Sequence, residues 1–478
     1  MHKRTKIITT VGPSTRSKEG ILNLYKKGMN VVRVNMSHAS HADLDEVIDY
    51  VTKINKTADK SIGIMVDTQG PEIRTAKSSD ILELKKGEKL VLTPNKNLKG
   101  KKSLPIDNLK YVKGIKKGGK ISLDNGAIEL KILNIGLGNN ITCEVLDNGA
   151  IAGKKHVNFP GAKIKLPTLT DKDKKDLNHA LKKGINFIAL SFCRTKNDLK
   201  TLRTFLKKRE EGIEIFVKVE DQEGLSNLDE IVSNSDGVMV ARGDLGIETD
   251  ITNLPYIQRK MIRVAAKYGK KSIVATQLLE SMIQNPHPTR AEVSDVANAV
   301  YEGADALMLS GETSVGKYPF KCVEYMRDIA LNAERSETLK FQDGFKQETD
   351  WHTLAATSVE LVEKIDADAI VVLTRSGFTA NLISRARPKV PVYAFTNNKE
   401  TQGKLSLASS VENLFMKFGA NHEKTINSAF NVLKDKFKLK GRKKFVVISG
   451  IFSDIYACLL YTSPSPRDMR RSRMPSSA

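Results

Sequence analysis

IFVKVEDQEGLSNLDEIVSNSDGVMVARGD, Ile215–Asp244, reads as a strand, a helical segment, a second strand and then a polar turn. The apolar runs Ile215–Val219 and Gly237–Val240 with a helical pattern between them are the signature of a βα unit in a parallel sheet. Side chains alternate along a strand, so Lys218 and Glu220 share one face while Val219 takes the other. Working outward, comparable runs stand at Lys6–Thr10, Val31–Val34, Ile62–Val66, Phe187–Leu190, Ser272–Ala275 and Ala306–Leu309. Together these make eight βα units, which predict an α/β fold built on a closed (β/α)₈ TIM barrel with its chemistry at the C-terminal ends of the strands. Those ends carry Asn35, Asp67, Ser191, Glu220, Arg242 with Asp244, Thr276, and Ser310 with Glu312.

The spacing breaks once, after the third run, where about a hundred residues intervene. Runs at Lys89–Leu92, Lys120–Leu123, Ala127–Leu133 and Ile141–Val145, divided by turn sequences such as Asp124-Asn125-Gly126, predict a small β-barrel domain over 71–167. A βα loop opens on the catalytic rim, so this insert is placed to act as a lid. The barrel itself is expected over 1–70 and 168–336. A separate C-terminal α/β domain is expected over 337–457, with helices Trp351–Ile365 and Thr379–Ala386 and strands Ala369–Leu373, Val392–Phe395 and Phe445–Ile448. Residues 458–478, rich in Ser, Pro and Arg and without an apolar period, read as a disordered or non-native tail.

With 40% hydrophobic and 28% charged residues in 478, the composition is that of a folded soluble protein of several domains. The net charge of +22 would attract nucleic acid, anionic membranes or anionic small molecules alike. Between Pro71 and Thr168, 19 Lys and Arg stand against 9 Asp and Glu, but no aromatics interleave to stack bases. A solvated lysine-rich surface accounts for this better than a nucleic-acid groove. No apolar run approaches the roughly 20 residues of a membrane span, and the start of the chain lacks a secretory h-region. Cys143, Cys193, Cys322 and Cys458 form no CxxC pair, so reduced thiols and a cytoplasmic location are expected.

Seven motifs in order, VVRVNMSH (Val31–His38), VDTQGPEIRT (Val66–Thr75), KVED (Lys218–Asp221), VARGDLG (Val240–Gly246), ATQLLESM (Ala275–Met282), PTRAEVSDVANAV (Pro288–Val300) and LSGET (Leu309–Thr313), closely resemble the signatures of the pyruvate kinase family. The resemblance covers the barrel and the insert and runs into the C-terminal domain, ending at IFSDIYACLLYTSPSPRD. It implies phosphoryl transfer from phosphoenolpyruvate to ADP, giving pyruvate and ATP in the last step of glycolysis, with Mg²⁺ (or Mn²⁺) and K⁺ as cofactors. A homotetramer is implied by the family alone.

The residues support that chemistry independently, since phosphoryl transfer is mainly a matter of positioning charged groups and neutralising the transferring oxygens. Glu220 and Asp244, from adjacent strand ends, offer two hard ligands for Mg²⁺; the plainer reading has Glu220 pairing with Lys218 and Asp244 capping a helix. Arg33 would hold substrate phosphoryl oxygens, and Gly243 lets the backbone approach a substrate carboxylate closely. By resemblance, Lys218 stabilises the transferring phosphoryl group, and Asn35, Ser37, Asp67 and Thr68 bind K⁺. Glu72 agrees with the potassium-requiring pattern, whereas Gln69 replaces the lysine common at its position. Asn35, His38, Arg74 and Lys155 match nucleotide contacts, and Thr276 matches a substrate contact near the carbon to be protonated. The proton donor is left open among waters held by Thr276, Ser310 and Glu312.

In the C-terminal domain, TRSGFT (Thr374–Thr379) lies between a strand and a helix, where hydroxyls and free N–H groups make either a phosphate nest or an ordinary helix cap. Thr374, Arg375, Ser376, Gly377 and Thr379 resemble the family's pocket for a sugar-phosphate effector. A pyruvate-handling Mg²⁺ lyase or aldolase is the rival within the barrel class, disfavoured by Arg33, Lys218 and the lid. A nucleic-acid-binding protein is the rival outside it, for which the rim carboxylates would be a handicap.

Overall fold

The computed structural model describes residues 2–95, 102–210, 212–344, 349–419, 421–437 and 443–449. The tail expected over 458–478, and the departure from the family pattern after Gly450, lie outside the described residues.

Eight parallel strands close into a barrel: β1 (Lys6–Thr10), β2 (Val31–Asn35), β3 (Gly63–Asp67), β4 (Phe187–Leu190), β5 (Glu214–Val219), β6 (Gly237–Ala241), β7 (Lys271–Ala275) and β8 (Ala306–Leu309). Neighbours follow chain order, with β1 pairing both β2 and β8. Inside, Ile8, Val31, Met65, Phe187, Phe216, Met239, Ile273 and Met308 fill the lumen, with Phe187 and Phe216 edge to face at 5.9 Å. The other strand face packs under a ring of amphipathic helices, which is why these strands read as continuous apolar runs. Each expected barrel strand is present, with ends within one residue of the sequence reading.

The insert leaves after β3 and returns before the helix Asp171–Lys183. Its seven-stranded sheet runs from Val157–Asn158 to Arg74–Thr75. A bridge between Arg74 and His156 joins those two edges, closing the sheet on an apolar core that includes Leu90, Ile121, Leu130, Cys143 and Phe159. The turn Asp124-Asn125-Gly126 links paired strands Lys120–Leu123 and Ile128–Ile135, with all three residues at positive φ.

The C-terminal sheet has parallel strands β9 (Ala369–Leu373), β10 (Val392–Thr396), β11 (Val411–Phe415) and β12 (Phe445–Ser449), in the order β11-β10-β9-β12. Strand β11 escapes a hydrophobic reading because Glu412 and Asn413 lie buried within it. Glu412 takes Lys60 at 2.6 Å and His2 at 3.1 Å, while Asn413 donates to Gln402 O and Ser61 O. The barrel floor satisfies these polar groups, so only the assembled domains make the strand viable. Leu407 reaches into the barrel's lower core, and the buried Lys6 ammonium donates to Val411 O. Among the described residues no helix is long and apolar enough to cross a membrane.

Candidate active site

One cavity of about 340 Å³ opens at the C-terminal rim beneath the insert. Its wall brings together Arg33, Asn35, Ser37, His38, Arg74, Lys155, Lys218, Glu220, Asp244 and Thr276, groups drawn from residues more than 240 positions apart in the chain. Asp67, Thr68, Gly243, Ser310 and Glu312 are not among the residues lining the cavity.

Lys218 projects from β5 into a buried polar cluster. Its ammonium donates to Ser191 Oγ at 2.8 Å and Asp67 Oδ1 at 3.2 Å and lies 2.9 Å from Glu220 Oε1. Burial alone would lower its pKa, but Asp67 and Glu220 outweigh that and hold it above the usual lysine range. Asp67 is fully buried and also receives Arg33 Nε at 2.7 Å and Ser191 Oγ at 3.2 Å. Burial would raise its pKa, yet Arg33 and Lys218 keep it ionised. Arg33 is locked further by donating Nη1 to Thr10 Oγ1 at 2.9 Å.

Glu220 accepts Phe192 N at 2.7 Å, and burial with Asp244 nearby pushes its carboxyl up against the pull of Lys218. The Asp244 carboxylate faces the cavity with no hydrogen bond or ion pair among the described residues. It sits in the first turn of helix Arg242–Glu248, whose N-cap is Ala241, so it is not a capping residue. Two carboxylates on one wall, one of them without a partner among the described residues, suit a hard divalent cation, the fit expected of a Mg²⁺ site. The oxygens read as K⁺ ligands occupy the neighbouring ends of β2 and β3. Here Asn35 Oδ1 accepts Ser37 N at 3.1 Å, and Thr68 O accepts Ser191 Oγ at 2.6 Å. Gln69 Nε2 donates to Glu72 at 3.2 Å, an uncharged donor beside that carboxylate.

Glu72 gathers the hinge of the insert: Arg74 Nε donates to it and His156 Nε2 lies 2.9 Å away. Against burial, these partners hold its carboxyl down to about 2. Arg74 also donates to Lys154 O, and Lys155 pairs with Asp124 at 2.8 Å, so both nucleotide candidates are steered by the insert. Gly243 N donates to Thr276 Oγ1 at 2.9 Å. A Cβ at Gly243 would meet only Thr276, at 3.5 Å, so the protein leaves room for close approach there.

Three residues hold this geometry through backbone contacts that the sequence reading did not assign to them. Arg242 donates to Thr276 O at 2.8 Å and Gln277 O at 2.8 Å, clamping a turn whose residues sit at φ +68 and +52. Asp173, from the helix after the insert, accepts Gln69 N at 2.9 Å and Thr170 N at 3.0 Å, tying together the points where the chain leaves and rejoins the barrel. Glu312 accepts Ser310 N at 2.7 Å and Leu279 N at 3.2 Å, a role in holding the loop after β8 rather than lining the cavity. The signal available for Asp173 was the Thr170–Asp173 capping box.

In the C-terminal domain, Thr374 Oγ1 accepts Gly377 N at 3.0 Å, and Gly377, at φ +87, starts helix Phe378–Arg385. Arg375 O accepts both Thr396 and Thr401 hydroxyls, fixing the loop while leaving the Arg375 side chain exposed.

Comparison with known proteins agrees with this geometry. Residues 2–323 match the family "Pyruvate kinase, barrel domain" and residues 352–455 match "Pyruvate kinase, alpha/beta domain". The chain is 38% identical over 457 residues to a pyruvate kinase of Staphylococcus aureus, an alignment covering 94% of this chain and 78% of the relative. Identity to a pyruvate kinase of Staphylococcus saprophyticus is 39% over 458 residues, with the same coverage. A crystal structure of a pyruvate kinase from Cryptosporidium parvum superposes with a TM-score of 0.90 at 32% identity, covering 97% of this chain and 96% of that one. By its two domain matches, its relatives and its fold, this chain belongs to the pyruvate kinase family.

Proposed function

We propose that the rim cavity is where this enzyme moves the phosphoryl group of phosphoenolpyruvate to ADP, with Lys218 and Arg33 as the cationic groups acting on it. The observation carrying this reading is the Asp67-centred cluster, which holds both cations rigid, charged and buried on one cavity wall. Preorganised charge of this kind stabilises a transition state without reorganisation at the moment of reaction. All three donors of the Lys218 ammonium have partners, and an incoming phosphoryl oxygen can replace Glu220 as one of them.

Glu220 and Asp244 would hold Mg²⁺ or Mn²⁺, and Asn35, Ser37, Asp67 and Thr68 would hold K⁺. The cations, when bound, neutralise charge on phosphoryl oxygens. Asn35, His38, Arg74 and Lys155 line the cavity and are assigned to the nucleotide. Gly243 and Thr276 border the substrate side. Because Thr276 Oγ1 already accepts Gly243 N, its own O–H is left to orient a water for protonation of the enolate. The insert over 71–167 acts as the lid, the Thr374–Thr379 loop binds a sugar-phosphate effector, and the working assembly is a homotetramer in the cytoplasm. The buried free thiols Cys143, Cys193 and Cys322 are compatible with a reducing compartment.

A coupled assay of pyruvate formation, with ADP, Mg²⁺ and K⁺ omitted in turn, tests the assignment on wild type and Lys218→Met. The variant should lose about a hundred- to a thousandfold in turnover while retaining its circular dichroism. Near-native turnover would remove Lys218 from the mechanism.

A further inference from the structure

On the face of the barrel opposite the catalytic rim, a second cavity of about 130 Å³ lies between the barrel floor and helix Phe378–Arg385. Three carboxylates in its wall are already satisfied. Glu214 takes Lys271 Nζ at 2.6 Å, Asp305 takes Arg387 at 3.0 Å and Ser272 N at 2.8 Å, and Asp236 accepts Ile215 N at 2.9 Å. The two remaining cations in the wall, Lys270 of the barrel and Arg385 of the C-terminal domain, have no hydrogen bond or ion pair among the described residues.

Both are partly withdrawn from water, and burial holds each below its ordinary pKa. For Lys270 burial dominates, Asp236 pulls the other way, and the Arg385 charge adds a smaller depression. The wall carboxylates Glu214, Asp236 and Asp305 act on these two cations only at longer range, without a direct pair among the described residues, and a buried charge without a direct partner is costly. Beside them the side-chain amide of Asn381 is also unpartnered, with Oδ1 shielded from solvent. A ligand completing this site must therefore bring anionic oxygens for Lys270 and Arg385 and an O–H for Asn381 Oδ1.

We propose that this cavity binds a phosphate group bearing or accompanied by an O–H, as inorganic phosphate or as a small hydroxylated phosphomonoester, bridged between Lys270 and Arg385. Arg385 supplies a planar fork suited to phosphate oxygens and Lys270 a point charge. The site is separate from the Thr374–Thr379 loop, which lies at the opposite end of the same helix. Lys270 directly precedes β7, and β7 ends at Ala275, next to Thr276. A bound phosphate would thus clasp the C-terminal domain to the base of a strand whose far end borders the catalytic cavity.

Equilibrium dialysis of labelled inorganic phosphate against the full chain tests this, with phosphoenolpyruvate and Mg²⁺ saturating so that the catalytic cavity is filled. The arms are wild type, a Ser376→Ala/Thr379→Ala loop variant and a Lys270→Gln/Arg385→Gln variant. Phosphate binding should persist in the loop variant and weaken at least about tenfold in the Lys270→Gln/Arg385→Gln variant. Competition by glycerol phosphate identifies a monoester, and its failure identifies inorganic phosphate. The Lys270→Gln/Arg385→Gln variant should keep the wild-type circular dichroism, so that a loss of phosphate binding is read on a folded chain. Unchanged phosphate affinity in that variant, or loss of binding in the loop variant alone, would each overturn the proposal.

Discussion

Asn158 Nδ2 of the inserted domain lies 3.0 Å from Oε1 of Glu248, the last residue of the helix that carries Gly243 and Asp244. The Glu248 carbonyl is held in turn by Gln222 Nε2 at 2.7 Å. The contact is buried on both sides and crosses from insert to barrel, so it ties the insert to the helix that carries Asp244. Replacing Asn158 with Leu should lower kcat/KM for phosphoenolpyruvate by about tenfold, the effect of orphaning one buried polar partner. Steady-state kinetics at saturating Mg²⁺ checks it; unchanged kcat/KM would mean that the contact does not govern lid position.

The same carboxyl makes stability depend on pH. Burial pushes Glu248 up to about 7, against the hydrogen bond from Asn158. A carboxyl whose pKa is raised on folding favours the native state fully below its unfolded value, and that advantage fades as pH rises through the folded value. Between about pH 4.5 and 7 the wild type should therefore lose up to roughly 3 kcal/mol relative to Glu248→Gln, which keeps the acceptor for Asn158. Urea melts of both proteins at pH 5 and pH 8 compare the two slopes. Parallel pH dependence in the variant would count against a buried, perturbed Glu248.

Thr276 is β-branched yet sits at φ +68, a conformation that costs on the order of 1–3 kcal/mol. Arg242 holds it there through both Thr276 O and Gln277 O and is itself anchored to Asp295 at 2.8 Å. Arg242→Gln should release the turn and lower kcat by about a hundredfold, as expected when a substrate-facing group shifts by roughly 1 Å. Arg242→Lys should not rescue it, because one ammonium cannot span the two carbonyls. Recovery of activity in the Lys variant would show that charge, not the forked geometry, is what matters.

Asp173 is fully buried and accepts backbone N–H groups from Gln69, Gly70 and Thr170. Asp173→Ala leaves these donors without a partner where the insert departs and returns. The expected cost is about 1–3 kcal/mol of stability, with protease cleavage appearing first at the junctions of the insert. Limited proteolysis with mass mapping reports the site of opening. Protection there equal to wild type would mean that other contacts pin the insert.

Much of the architecture was legible from residue order alone. A strand buried on both faces must be apolar throughout, so the eight runs from Lys6–Thr10 to Ala306–Leu309 announce themselves, and their register leaves one residue of freedom at each end. The chemistry at the strand ends is equally local: Lys218 and Glu220 fall on one face by alternation, and Asp244 follows the next strand by spacing. The 411–415 strand was hidden because its polar residues become tolerable only against Lys60, His2 and Gln402 from elsewhere in the chain.

What only the tertiary structure decided is how these groups are paired. Sequence placed Asp67 among oxygen ligands, but folding puts Arg33, Ser191 and Lys218 around it, making it the counter-charge of two buried cations as well. Sequence likewise left Arg242 and Asp173 without a role, since a side chain that anchors another segment's backbone has no periodicity to betray it. Local pattern records which face a residue takes, because burial acts on each strand separately. Which partner it meets there depends on closing the barrel, and that brings together residues separated by more than a hundred positions.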